Sequence, residues 1–465
     1  MHLTRFHRFF FFLVSSCLIF LLAACGSGGS NTSTTPTPIG NTPTANASVT
    51  PGTTQPGSGV TSAPVSSTQT SCPSAGTGRA AMMPALALGS HQNIIYTVNE
   101  YQGQTPSFGT LKRLDITTGT KTEIVKIAGI SISDAQVSAD GQWILFVAVT
   151  TNQAKLQLVR MDGQALQTLY CATPASNGAI PSSALNNVEW SVNQQLTAFN
   201  SYTGAASYLY LLNMQNGTLQ TELSTISGAI DTPLTWLDNT RLYVNGPEVD
   251  APPQALYLLD TGRGANQNPN SLQKVFDASS VTGTTNFCWN ADSDFDGTKL
   301  FTSQCTTTPS SNGPGIGSQI GPSTINIRPE TGGAQQKIFT SQNMAITAVR
   351  SISKTTLLLL INNNSTGTNV DTSQNGLWKV NIDGSGLTRL TNGGAGVSGG
   401  PSLLCLYTQY PWSNVSRDGG LVALQHNTAN GQTESLLFVS INGGTPTTFA
   451  SISGTQLAIV GWTTM

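Results

Sequence analysis

The sequence predicts an all-β protein built as a single β-propeller of seven four-stranded blades, with six or eight blades as the alternatives. Three observations carry that expectation. First, a hairpin pattern recurs, with alternating apolar residues, a Gly, Asn or Asp turn, and a second strand. Its copies are "LKRLDITTGTKTEIV" (111–125), "LQLVRMDGQALQTLY" (156–170), "LYLLNMQNGTLQTEL" (209–223), "LYLLDTGRG" (256–264), "INIRPETGGAQQKIF" (325–339), "LWKVNIDGSGLTRLT" (377–391) and "LLFVSINGGTPTTFA" (436–450). Second, a short strand, a turn and an apolar strand precede the hairpins, as in "VSADGQWILFVAV" (137–149), "WSVNQQLTAFNS" (190–201), "WNADSDFDGTKLFTS" (289–303) and "VSRDGGLVALQ" (415–425). Four strands per repeat is the arrangement of a propeller blade. Third, the ends are complementary. "NIIYTVNE" (93–100) reads as a second strand without a first, and "QLAIVGWTTM" (456–465) as a first strand without a second. Pairing them closes the ring and leaves no open edge.

The chain begins with a targeting pattern. Arg5 and Arg8 precede an uncharged apolar run from Phe9 to Ala24. That run is short for a membrane span, which needs about 20 apolar residues, and suits a signal segment. The order Leu22-Ala23-Ala24-Cys25 resembles the lipobox of bacterial lipoproteins. The resemblance implies a signal peptide over 1–24 and an acylated Cys25 as a membrane anchor, with two or three acyl chains giving stable attachment. Residues 25–85 then read as a disordered tether, rich in Ser, Thr, Gly and Pro, with too little apolar surface to offset chain entropy. Residues 86–465 are the expected propeller domain.

Composition bounds the partners. Only 9% of residues are charged and the net charge is −2, so no basic surface is available to track nucleic acid. Matching positions for Trp190, Trp236 and Trp289, with Trp412 and Trp462 at or near the same place, read as core anchors between blades. "VSADGQWILFVA", "VSRDGGLVALQ" and "LWKVNIDGSGLTRLTNGG" are similar to the WD40-like repeats of TolB-type propellers over roughly 90–465. Other turns, "VNQQ", "LDNT" and "SKTT", depart from the Pro-Asp-Gly that family favours. The resemblance implies the fold. It leaves protein binding, sugar binding and a role beside a hydrolase all open.

In a propeller the first-to-second and third-to-fourth turns share one face, and the other connections share the opposite face. The second set is long here, at 245–254, 305–324, 362–376 and 392–411. This rim is the expected recognition surface, since long loops on a rigid scaffold commonly bind.

Candidate chemistry is sparse. "DSDFDG" (292–297) matches the first half of a calcium loop, with Asp292, Asp294 and Asp296 as oxygen ligands, although Ser303 stands where the loop wants Glu. An enlarged turn is the competing reading. "GVSGG" (396–400) fits a nucleophile pattern at Ser398, but coil precedes it and Pro401 follows, so the strand-to-helix elbow is missing. His91 and His426 are the only histidines after the signal. Glu248 and Asp250 have no spacing that singles them out for glycoside chemistry. The reading is therefore non-enzymatic and free of cofactors other than that calcium candidate. Cys288 and Cys305 flank two strands expected to be antiparallel neighbours, which suits a disulfide. Cys72 has Cys171 or Cys405 as alternative partners. The expectation is a lipid-anchored protein on the extracytoplasmic side of the cell envelope that binds a protein partner. Envelope polysaccharide is the alternative ligand, and a propeller-type hydrolase is the third reading.

Overall fold

Alternating strands with short turns produce seven antiparallel sheets in a computed structural model. It describes residues 70–74, 76–80, 83–172, 184–202, 206–226, 232–245, 255–277, 287–293, 297–309, 316–365, 371–392, 403–405, 411–427, 433–451 and 455–465. Three strands of blade 1 come first: β1 (Gln92–Gln102), β2 (Thr105–Asp115) and β3 (Lys121–Ala128). Blade 2 holds β4 (Ser131–Val137), β5 (Trp143–Val149), β6 (Ala154–Arg160) and β7 (Gln167–Ala172). Blade 3 holds β8 (Asn186–Trp190), β9 (Leu196–Tyr202), β10 (Ala206–Asn213) and β11 (Leu219–Ile226). Blade 4 holds β12 (Pro233–Trp236), β13 (Arg241–Asn245), β14 (Ala255–Asp260) and β15 (Gln273–Asp277).

Blade 5 consists of β16 (Phe287–Ser293), β17 (Lys299–Pro309), β18 (Ile316–Pro329) and β19 (Gln336–Ser341). Blade 6 has β20 (Ile346–Ser351), β21 (Thr356–Ile361), a two-residue strand β22 (Asn364–Ser365), β23 (Gly376–Asn381) and β24 (Thr388–Asn392). Blade 7 has β25 (Leu403–Cys405), β26 (Leu421–Asn427), β27 (Thr433–Ser440) and β28 (Thr447–Ala450). The last strand, β29 (Thr455–Thr464), is the inner strand of blade 1 and pairs with β1 from Gln92↔Thr464 to Glu100↔Thr455. The seven-bladed ring and its closure stand as the sequence predicts.

Seven apolar clusters lie one at each interface between blades. Leu156, Leu158, Trp190 and Phe199 join blades 2 and 3, for example, and Phe301, Ile325, Val349 and Leu359 join blades 5 and 6. Each fully buried aliphatic or aromatic side chain contributes about 1.5–3 kcal/mol. Trp236 and Trp462 add directed rivets, because their indole N–H groups donate to Glu189 O and Asn414 O of the preceding blade. Trp190 occupies the corresponding place but donates to Gln194 O of its own blade. Trp289 is not equivalent. It sits four residues earlier relative to the turn, half-buried against Phe276 with ring centroids 5.3 Å apart. The side chain of Trp412 lies outside the described residues.

The inner turns share one device. Ser138, Ser191 and Ser416 donate Oγ–H to Asp140, Asn193 and Asp418, and accept from the backbone N of Trp143, Leu196 and Leu421. The turn places its fourth residue in the left-handed region, occupied by Gly141 (φ 74°), Gln194 (φ 61°) and Gly419 (φ 74°). Aligning the repeats puts Asp292 at the position of Gln136, and Asp294 and Asp296 at those of Ser138 and Asp140. Asp292 and Ser293 are the end of the inner strand β16, and residues 294–296 lie outside the described residues.

The ring closure has a further fastener. Arg417 of blade 7 donates to Trp462 O (2.8 Å), Ala139 O (2.8 Å) and Ser138 O (3.0 Å), so one guanidinium joins blades 7, 1 and 2. Burial pulls its pKa down to about 10, with Asp140 opposing, and it remains a cation at neutral pH.

Described residues that precede position 86 also contact the ring. Residues 70–74, 76–80 and 83–91 pack along the short-turn face and the outer edge of blade 2, where Cys72 is bridged to Cys171. Residues 1–69, including Cys25, lie outside the described residues.

Two outcomes follow from this packing. Replacing Gln194 by Gly is expected to raise stability by about 1 kcal/mol in urea unfolding, by relieving a positive φ and two buried, unbonded amide atoms. Trp462→Ala is expected to cost about 3–5 kcal/mol in the same measurement, and deletion of 456–465 to abolish the cooperative transition of the ring.

Candidate functional site

The inner strands β4, β8, β12, β16, β20, β25 and β29 surround the axis. Near the short-turn end, equivalent positions carry Gln136, Glu189, Thr235, Asp292, Arg350 and Asn414, none more than 2% exposed. All six of these equivalent polar positions are buried. Toward the starts of the same strands, side chains reach solvent: Ser133 and Gln456 are exposed, and Asp134, Asn186, Trp289 and Thr347 are half-buried. Those starts are where the fourth-to-first connections arrive. The starts of the inner strands, here called the cup, are therefore more accessible than their short-turn ends.

The cup wall is set by hydrogen bonding across blades. An inner strand has no neighbour on its axial edge, so its N–H groups need other acceptors. Asp134 Oδ2 accepts from Val188 N (2.7 Å) and Gln136 Oε1 from Trp190 N (3.0 Å). Asn290 Oδ1 accepts from Val349 N (3.1 Å) and Asp292 Oδ2 from Ser351 N (2.7 Å), in the same pattern. Side chains of second strands help in the same way. Asn99 Oδ1 accepts from Ile132 N, and Gln425 Oε1 from Ile459 N. Asn187 bends β8 at the cup with φ 50°.

Of the calcium candidate, only Asp292 lies among the described residues. Asp292 is 1% exposed, caps the backbone of blade 6, and interacts electrostatically with Arg350, whose pKa is lowered by burial. Its carboxylate faces the core instead of a solvent loop, while Asp294 and Asp296 lie outside the described residues. Among the described residues no group of three or more His, Cys, Asp or Glu is placed to hold a metal. Ser398, Glu248 and Asp250 also lie outside them. His91 bonds Asp115 at 2.8 Å on the short-turn face, whereas His426 stands toward the other end of blade 7. Cys288 and Cys305 are register partners and Cys305 is disulfide-bonded. The side chain of Cys288 is outside the described residues.

The rim departs from the sequence expectation in one place. The segment 305–324 is largely a β-ribbon. Beyond the end of β16 at Phe287↔Thr306, β17 and β18 continue to pair through Thr307↔Gln319, Thr308↔Ser318 and Pro309↔Ile316. β22 of blade 6 joins the ribbon at Ser318↔Ser365 and Gln319↔Asn364. The feet of that blade 6 connection are pinned by Asn363, which bonds Ala345 N, Asn343 O and Asp371 O, and by Asn375, which exchanges two bonds with the Asn363 backbone. The ribbon thus stands as a braced wall beside the cup. The connections at 246–254 and 393–402 lie outside the described residues.

Three groups that sequence reasoning missed matter here. Asp134 carries no motif; its only signal is its place two residues before Gln136 in an inner strand. The Asn363–Asn375 pair hides in a run that reads as linker. The ribbon is rich in Thr, Ser and Gly and lacks the apolar alternation of a strand.

No protein-family profile and no curated protein matches the chain. Solved structures do resemble it. An uncharacterized protein from Listeria monocytogenes EGD-e has 11% identity, covering 79% of this chain and 97% of its own, at a TM-score of 0.46. The β-propeller domain of the Trilobed protease from Pyrococcus furiosus has 10% identity over 78% and 97%, TM-score 0.45. TolB from Acinetobacter baumannii has 12% identity over 76% and 81%, TM-score 0.36. Similarity this distant assigns no activity. Among the described residues no helix is long and apolar enough to cross a membrane.

Burial raises the pKa of Asp134 to about 6, against the bonds from Val188 and Ala135 N–H groups that favour its ionised form. The folded pKa lies above the unfolded value, so this carboxyl favours folding at low pH and the contribution is lost as pH rises toward 6. Asp134→Asn is expected to leave stability near pH 4 almost unchanged and to raise it at pH 7, measured by urea unfolding at the two pH values.

Proposed function

We propose that this protein is a non-catalytic binding or scaffold propeller, tethered by lipid at Cys25 on the extracytoplasmic side of the cell envelope, and that the long-connection rim receives a protein partner. The observation that carries the reading is the braced ribbon of β17, β18 and β22. It raises backbone-rich surface beside the cup, on the face that holds the long connections. Rigid support of protruding segments lowers the ordering cost of binding. Disulfides at Cys72–Cys171 and at Cys305 support an oxidising compartment, and the lipobox-like order at residues 22–25 supports the anchor.

One observation favours a second reading. Trp289 is half-exposed at the cup, where the accessible inner-strand positions also include uncharged Ser133, Asn186, Thr347 and Gln456 besides Asp134. An aromatic face beside neutral hydrogen-bonding groups suits envelope polysaccharide.

The test is cross-linked capture from source-cell envelopes with the intact protein and with a variant in which residues 308–317 are replaced by a two-residue turn. One specific protein, lost with the shortened ribbon, is the expected result. Capture that is unaffected by the shortening removes the rim as the binding face. Retention on envelope polysaccharide that depends on Trp289 moves the function to sugar binding.

A further inference from the structure

We propose that residues 72–83 are a redox-released clasp around blade 2, and that reduction of Cys72–Cys171 detaches this segment while the ring stays folded.

The course of the segment is unusual. His91 and Met465 exchange two backbone hydrogen bonds at the ring closure. Running back from there, Leu86 N donates to Gln142 Oε1 (2.7 Å) and Arg160 Nη1 donates to Pro84 O (3.1 Å), under the turns of blade 2. Ala80 and Met83 then enter the apolar interface of blades 2 and 3, and Ala80 N donates to Met214 O. The chain next crosses the outer edge of blade 2. A Cβ on Gly78 would lie 1.7 Å from Leu169 O, so this crossing needs glycine. It ends at the Cys72–Cys171 bridge, and Thr70 O accepts from Thr168 Oγ1 (3.1 Å).

The two halves are held differently. From Pro84 to His91 the chain is bonded repeatedly to blades 1 and 2. Ala80 and Gly78 pack against blades 2 and 3, whereas from Thr77 to Cys72 the described residues border a cleft of about 460 Å³, walled by Ser74, Thr77, Arg79, Gln167, Thr168 and Asn216. The bridge spans 99 residues and fastens the exposed end of the segment beside that cleft. Cys72 is exposed and Cys171 half-buried, so an outside thiolate reaches the bond, and exposed disulfides are the labile ones.

A dithiol reductant supplies the chemistry. Its thiolate attacks Cys72 Sγ, the Cys72–Cys171 bond breaks, and the Cys171 thiolate leaves and is protonated. The second thiol of the reductant then displaces Cys72, so two electrons pass to the protein and the reductant becomes a cyclic disulfide. Detachment of twelve residues adds about 40 Å of contour to the chain that precedes the ring. Greater reach from a membrane rests on the anchoring proposed above; the clasp itself does not.

Arg79 is the only Lys or Arg between Arg8 and Lys112, so trypsin reports on the clasp alone. The full-length protein is digested with and without dithiothreitol, beside Cys72→Ala/Cys171→Ala without reductant, and quenched samples are resolved under reducing conditions. The expected result is cleavage after Arg79 accelerated about tenfold or more by reduction and equally by the double substitution, as for local opening that exposes a site. Sites from Lys112 onward should stay protected. The double variant excludes effects of reducing the bridge at Cys305. Equal Arg79 cleavage in the oxidised protein and the variant overturns the proposal, as does cleavage from Lys112 onward appearing together with Arg79. Either result leaves partner capture and lipid attachment to be judged separately.

Discussion

Seven inner strands that each present an unpaired edge to the axis set the terms for the rest of the molecule. Their N–H groups face neither another strand nor open water, and a buried unsatisfied donor costs about 1–3 kcal/mol. The chain meets this with side chains handed forward from one blade to the next, such as Asp134 and Gln136 to β8, and Asn290 and Asp292 to β20. The acceptors must be two residues apart and short enough to reach. That requirement puts carboxylates and amides in the core, at the buried inner-strand positions of the short-turn end.

Closure uses the same logic at larger scale. Blade 1 is assembled from both ends of the chain, so its integrity depends on β29 finding β1. The apolar contact there is supplemented by Trp462, whose indole reaches Asn414 O, and by Arg417, which spans three blades. Arg417 takes the place held by Ala139 in the corresponding turn of blade 2. A substitution within a repeat has turned an ordinary turn position into a fastener.

The ring was legible because its signals are local and repeated: alternation within strands, turns rich in Gly, Asn and Asp, and complementary ends. What was not legible depended on partners remote in sequence. Asp292, Asp294 and Asp296 have a spacing that suits either a cation loop or a strand entering a turn, and only the neighbouring blade shows that Asp292 caps Ser351. Trp289 shares its residue type, but not its register, with Trp190 and Trp236. The 70–85 segment lacks any periodic pattern because it pairs with no sheet. A few atoms hold it, at Ala80, Pro84 and Cys72, and composition cannot distinguish that from disorder. At the candidate site the ribbon was hidden by residues with weak strand preference that pair because β17 and β18 extend an existing ladder.

The construction of blade 1 also has a consequence in time. During synthesis β1, β2 and β3 emerge first, and β29 is the last strand in chain order. Until it arrives, β1 presents a free ladder edge beside Ile94, Ile95 and Tyr96, which are buried once the ring is complete. Such an edge invites pairing with the wrong chain. The nascent protein must therefore be kept apart from its own copies over nearly its whole synthesis, and the burden on folding helpers is set by topology more than by final stability.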